Sequence, residues 1–316
     1  MTTSSTEPRP GEFVHPAVFY HSDADYLDAL APFITEGLAQ QHPVAVAVPA
    51  PRLRVLREAV GAAGDRVRWI DMAEAGRNPG RIIPGVLRRF ADAHPDRHVR
   101  IIGEPIWPGR TATEYPACAQ HEALINAAFA GRDVTIVCPY DATRLGADAL
   151  ADARLTHPLL WEPHRRYRSE RYDPDSVVSR YNQALTVPTA TAEHHMTTTT
   201  EISAARRVAT AEVRRLGLAE ERVADFELIV TELITNSLVH TAGPCRWRLW
   251  REDDDIVFDL RDSGHVTDPL IGRRPPDRDR FGGRGLFLVN ELADLVRIHL
   301  SAEGTTWRVL LHVDSR

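Results

Sequence analysis

Three short clusters in the last third of the sequence hold residue types that do chemistry together. Glu232, Asn236 and His240 recur every four residues, so on a helix they stack along one line. They run beside an apolar stripe of Val223, Phe226, Val230 and Leu233, widened by Ile229 and Ile234, which puts the polar row at the edge of a buried face. There a carboxylate can take a proton from a nucleophile, and a carboxamide oxygen is a hard ligand for Mg2+. Asp262 ends the alternating run Ile256–Arg261, on the side shared by Ile256, Phe258 and Leu260, so its carboxylate is expected to face the interior. An acceptor-only group at that place suits the exocyclic amine of adenine, and Gly264 lets a ligand approach the backbone. Gly282-Gly283-Arg284-Gly285-Leu286 then opens an apolar helix expected over Leu286–Leu295. Its exposed N–H groups and positive dipole end form a phosphate site. Thr305 and Thr306 begin the last expected strand, where a hydroxyl can touch a phosphate. Each cluster is cheap alone; in this order within one stretch of chain they read as a nucleotide site.

The elements that must position these residues are two helices, Ile202–Leu216 and Ala219–His240, and strands around Ile256 and Thr305. Between the second and third clusters, His265–Arg280 is polar, rich in Pro and Arg, and without apolar periodicity. Upstream, Thr186–Thr200 holds Pro188, seven threonines and the adjacent pair His194 and His195, the composition of a linker. A phosphoacceptor histidine is expected on a long amphipathic helix, which this segment does not offer.

All 38 basic residues are arginine, because the sequence contains no lysine. That excludes a Walker A loop, a pyridoxal phosphate Schiff base and the protein kinase fold with its strand lysine. A net charge of -6 argues against a dedicated nucleic-acid surface. Cys118, Cys138 and Cys245 form no CxxC and no even framework, which reads as buried thiols in a reducing cytoplasm. The fourteen histidines show no HExxH or similar local cluster, and no apolar run is long enough for a membrane span. A cytoplasmic protein without membrane or direct nucleic-acid contact is expected.

The first half alternates short apolar runs with amphipathic stretches. Strands are expected at Val14–Tyr20, Val44–Val48, Val67–Asp71, Val99–Glu104 and Val134–Tyr140. Helices are expected at Asp25–Gln41, Leu53–Ala63, Pro79–Ala93 and Cys118–Ala130. This alternation implies a parallel-sheet α/β domain with helices on both faces, over residues 1–185, with a linker at 186–200 and a second α/β domain at 201–316. Ligands collect beyond the carboxyl ends of parallel strands, where His21, Glu104, Trp107 and Tyr140 make a candidate sensory pocket for a small molecule. The alternative is an ordinary loop around a packed Trp. No GxGxxG follows the first strand, so a dinucleotide site has no support.

The segments His15–Asp28, Phe33–Leu38, Ile101–Arg110 and Thr156-His157-Pro158 resemble the MEDS sensory domain family, which implies a small-molecule signal. Residues 200–316 are similar to the Bergerat-type (GHKL) ATPase domain of gyrase, Hsp90 and histidine kinases, and most similar to anti-sigma factor serine/threonine kinases. Glu232 and Asn236 match the first box, Asp262 and Gly264 the second, and Gly283, Gly285 and Leu286 the third. The resemblance implies an α/β sandwich of helices on a mixed sheet that binds ATP and Mg2+. It makes Glu232 the general base, Asn236 the Mg2+ ligand, Asp262 the adenine reader and His265–Arg280 a lid. Val266 stands where histidine kinases often carry a second glycine, and Arg284 separates the glycines of a shortened third box; both fit the anti-sigma branch. The function implied is a sensor that phosphorylates or sequesters a sigma factor or anti-sigma factor antagonist, thereby regulating transcription, and that forms a homodimer. The alternatives are a non-catalytic, ATP-gated binding module and a sensor histidine kinase.

Overall fold

The computed structural model describes residues 11–241, 243–275 and 283–313. The chain divides into two compact units between Tyr181 and Asn182. The first runs β1 (Pro16–Tyr20), α1 (Asp23–Ala39), β2 (Val44–Val48), α2 (Ala50–Val60), β3 (Arg68–Asp71), α3 (Met72–Ala75) and α4 (Arg89–Asp92). It continues through β4 (Val99–Gly103), α5 (Tyr115–Ala128), β5 (Val134–Asp141), α6 (Ala147–Thr156), β6 (Leu159–Glu162), β7 (Arg165–Arg168) and α7 (Pro174–Arg180). Its seven strands lie in the order β3-β2-β4-β5-β1-β6-β7, parallel throughout except for the β6–β7 hairpin.

Strands β1, β2 and β5 are buried along their whole length, as a parallel sheet between helix layers requires. Val46, Ile102 and Val137 pack into one core with α1 and α2. The next residue, Cys138, points to the other face, where Glu122 of α5 lies. Ser22 caps α1 by accepting from the Asp25 N–H at 3.1 Å. The helix expected over Pro79–Ala93 differs: a 3-10 turn at Pro79–Arg81 leads into a π-helix at Ile82–Arg88 before α4. Pro84, which has no N–H to give an α-helical ladder, lies inside that wider turn.

The second unit runs β8 (Glu193–Met196), α8 (Ile202–Arg215), α9 (Glu220–His240), β9 (Cys245–Glu252), β10 (Asp255–Asp262), α10 (Gly285–Leu292), β11 (Leu295–Ser301) and β12 (Gly304–His312). Its sheet order is β11-β12-β10-β9-β8, and every neighbouring pair is antiparallel, where a mixed sheet is implied by the family resemblance. One face of this sheet carries Trp247, Phe258, Leu260, Trp307 and Val309 into a core shared with Phe226, Ile229, Val230 and Leu233 of α9.

The threonine-rich stretch is more ordered than its composition suggests. Glu193–Met196 pairs with β9 as the edge strand, and His194 stacks on Trp247 with centroids 4.0 Å apart. Thr198 and Glu201 then form a capping box ahead of α8, so part of the threonine run marks a helix start.

Candidate functional site

Helix α9 begins with Glu220 and Glu221 in its first turn, where the helix dipole favours negative charge. The stripe read from the sequence is its buried face, so the row Glu232, Asn236, His240 lies along the edge of the core. Glu232 and Asn236 are half-buried and His240 is exposed.

Asp262 closes β10 with its carboxylate buried, as the alternation of that strand requires. Two donors fix it: Ser237 Oγ donates to Oδ2 at 2.5 Å and the Gly264 N–H donates to Oδ1 at 2.8 Å. Each oxygen keeps a further lone pair. Thr305 Oγ1 in turn donates to the Gly264 carbonyl at 2.7 Å, so its proton holds the loop that holds Asp262 and is not directed at a phosphate. Gly264 is sterically required, since a Cβ there would fall 2.4 Å from Thr241 Cγ2.

The start of α10 meets the same place from the other side. A Cβ on Gly285 would fall 2.2 Å from Glu232 Oε2 and 3.3 Å from Asn236 Nδ2. The first-turn amides of α10 thus open beside both side chains, with no acceptor of their own inside the helix. One cavity of about 320 Å³ is lined by Asn236, Asp262, Gly264, Gly283, Gly285 and Leu286, with His240 and Thr305 also contributing.

Three expected residues are not among those that line the cavity. Glu232 lies against Gly285, which does line it. Arg284 is exposed and does not line the cavity. Thr306 follows Thr305 on a strand, so its side chain emerges on the reverse face of the sheet. Gly282 and residues 276–280 of the expected lid lie outside the described residues. The front of that lid is not a loose polar loop: Leu270 is buried, and Asn290 Nδ2 donates to the Gly272 carbonyl at 3.1 Å. Ser237, the residue that aims Asp262, was not recognised from the sequence. Its only signal is a small hydroxyl on the buried face of an otherwise apolar helix.

The four residues expected to form a sensory pocket differ in their surroundings. His21 is exposed, and its N–H donates to Asp25 Oδ2. Trp107 carries the Arg110 guanidinium 3.9 Å above its ring, and that guanidinium is held by the carbonyls of Gly76, Arg77 and Pro105, so the pair is a structural clamp. Tyr140 is buried edge-on to His157, with centroids 5.5 Å apart.

Glu104 is the chemically unusual one. It is buried at the end of β4, with no hydrogen-bond partner for Oε2. Burial raises its pKa to about 8; Arg52 opposes the rise and Asp141 adds to it. A carboxyl that keeps its proton in the fold and loses it on unfolding gives stability that is full below the ordinary value of 4.5 and lost as pH rises toward 8. Glu104→Gln is therefore expected to flatten the pH dependence of thermal unfolding. At pH 8 the variant should exceed the parent by roughly 2–4 kcal/mol, and at pH 4 the two should be alike.

Comparison with known proteins agrees with this division. Residues 14–158 match the family model described as the MEDS, methanogen/methylotroph, DcmR sensory domain. Residues 196–310 match the histidine kinase-like ATPase domain, starting at the last residue of β8. Over 112 residues the chain is 28% identical to a serine-protein kinase RsbW from Oceanobacillus iheyensis, covering 31% of this chain and 71% of that protein. Among the described residues no helix is long and apolar enough to cross a membrane. The chain joins a sensory-type α/β domain to a kinase-like ATPase domain.

Proposed function

We propose that this chain is a cytoplasmic regulator whose first unit receives a signal and whose second binds Mg·ATP to phosphorylate a serine or threonine of a partner. By its likeness to the RsbW protein, the partner is an anti-sigma factor antagonist or a sigma factor. The observation that supports the reading is the single cavity in which residues from all three sequence clusters meet. Gly264 and Gly285 line it and bring bare backbone to its wall, and the fixed Asp262 carboxylate has lone pairs for the amine of adenine. Asn236 Oδ1 would hold Mg2+, and the α10 amides would hold the phosphates. ATP supplies the phosphoryl group and Mg2+ offsets the phosphate charge. Glu232, beside those amides, would accept the proton of the partner's hydroxyl.

Calorimetry of Mg·ATP with the intact protein tests the nucleotide site. Binding is expected in the parent and at least about tenfold weaker in Asn236→Ala, a loss of roughly 1.4 kcal/mol or more. A parent that takes up no Mg·ATP would leave the second unit as a docking scaffold and end the kinase reading.

A further inference from the structure

Four side chains that the nucleotide site does not use converge inside the first unit. His15 precedes β1, Glu122 lies on α5, Cys138 on β5, and His157 follows the last residue of α6. All four are buried, and one nitrogen, oxygen or sulfur atom from each lies within 4.8 Å of the others.

The hydrogen bonds around the cluster fix what each imidazole offers it. Asn126 Nδ2 donates to the carbonyls of Ala123 and Thr156 at 3.1 and 2.8 Å, which leaves its Oδ1 facing His15 Nδ1 at 3.1 Å. His157 Nδ1 faces the Ala153 carbonyl at 2.9 Å. Asn126 Oδ1 and the Ala153 carbonyl only accept, and Thr156 Oγ1, also 3.0 Å from His157 Nδ1, donates its hydrogen to the Asp152 carbonyl at 3.0 Å. Both Nδ1 atoms therefore carry hydrogen, and in the neutral rings both Nε2 atoms offer a lone pair. Those lone pairs point inward, to within 3.4 Å (His15) and 3.2 Å (His157) of Glu122 Oε2. Despite this proximity, neither Glu122 oxygen nor His157 Nε2 makes a hydrogen bond of acceptable direction among the described residues. Cys138 Sγ completes the group, 3.4 Å from His15 Nε2. Apart from the single Cys138 thiol hydrogen, acceptors face acceptors in a dry interior, an arrangement that costs free energy unless a cation lies among them.

We propose that His15 Nε2, His157 Nε2, a Glu122 oxygen and Cys138 Sγ form a four-coordinate site for a zinc-class divalent cation. Bonds of about 2.0–2.1 Å to nitrogen and oxygen and about 2.3 Å to sulfur give tetrahedral edges of roughly 3.4 Å for N···O and 3.5 Å for N···S. The observed separations of 3.4, 3.2 and 3.4 Å match these edges. Two imidazoles, a carboxylate and a thiolate suit Zn2+ or Co2+ better than Mg2+ or Ca2+. On binding, the Cys138 thiol releases its proton to solvent, and the two anionic ligands neutralise the ion. The Nδ1–H bonds to Asn126 and Ala153 are the outer contacts that orient ligating histidines. With four protein ligands and no exposure, the site is closed and ties four distant chain segments together.

The test uses full-length protein produced in medium supplemented with Zn2+ or Co2+. About one equivalent of metal per chain is expected. The cobalt form should show thiolate-to-metal charge transfer that disappears in Cys138→Ser and persists in Cys118→Ser. Should Cys138→Ser not fold, X-ray absorption on the zinc form of the parent reads the ligands directly: one sulfur at about 2.3 Å and three lighter donors near 2.0 Å. Folded parent without stoichiometric metal, and with the same melting temperature in chelator, would overturn the proposal in favour of an imidazolium–carboxylate network. A zinc environment without sulfur, or a cobalt spectrum unchanged in Cys138→Ser, would overturn it as well.

Discussion

Glu232→Gln is expected to slow phosphoryl transfer to a protein partner by about 10²- to 10⁴-fold, the usual contribution of a positioned general base, while Mg·ATP affinity changes only a few-fold. Gln has nearly the shape of Glu but cannot take the hydroxyl proton. Glu232 Oε2 lies against Gly285 at the head of α10, where the phosphates are placed in the proposed complex. Asp262 and its two donors, Ser237 and Gly264, are untouched by the change. Transfer rates and calorimetry on the same two proteins separate base from binding residue. Transfer at the parental rate would remove the base assignment. A parent that binds Mg·ATP and transfers nothing to sigma factor or antagonist candidates would point to the non-catalytic binding module.

The largest structural effect is expected from Gly304→Ala. Gly304 opens β12 with a φ of +131°, and a Cβ there would fall 1.9 Å from the Asp262 carbonyl oxygen and 2.8 Å from Ser263 Cα. Both obstacles are backbone, so no rotamer change relieves them. The substitution should cost about 3 kcal/mol or more and displace the end of β10, lowering the urea midpoint and Mg·ATP affinity together. Gly131→Ala is the control: its φ is +75°, but nothing lies within 4 Å of the added atom, so only the conformational cost of about 1–2 kcal/mol applies. Equal losses in the two variants would show that the contact with Asp262 is not the cause.

What the sequence made legible follows from how local each signal is. Strands buried on both faces announce themselves as apolar runs, which is why β2 and β5 were expected within a residue or so of where they stand. Strand β7 is Arg-Arg-Tyr-Arg, with no apolar face to betray it; it is held by pairing with β6 and by Arg165 and Arg166 lying over aromatic rings. Strand β8 was hidden by threonines whose role in the helix cap emerges only in three dimensions. In the second unit, spacing of four on α9 puts Glu232 and Asn236 at the half-buried edge of the helix, and alternation on β10 turns Asp262 inward. Alternation also decides between Thr305 and Thr306, since neighbours on a strand emerge on opposite faces. The His15, Glu122, Cys138 and His157 cluster was invisible because each member comes from a different segment, and only sheet order and helix packing bring them together.

Asn236 and Ser237 are neighbours in sequence but face different walls of the cavity. One lies beside the glycine that starts α10, and the other grips the carboxylate that ends β10. The gap between those walls is therefore gauged by the thickness of a single helix, not by the length of chain that joins β10 to α10. Insertions or deletions in that joining segment can alter how the cavity is covered without changing its span, whereas turning α9 about its own axis would loosen both ends of any occupant at once.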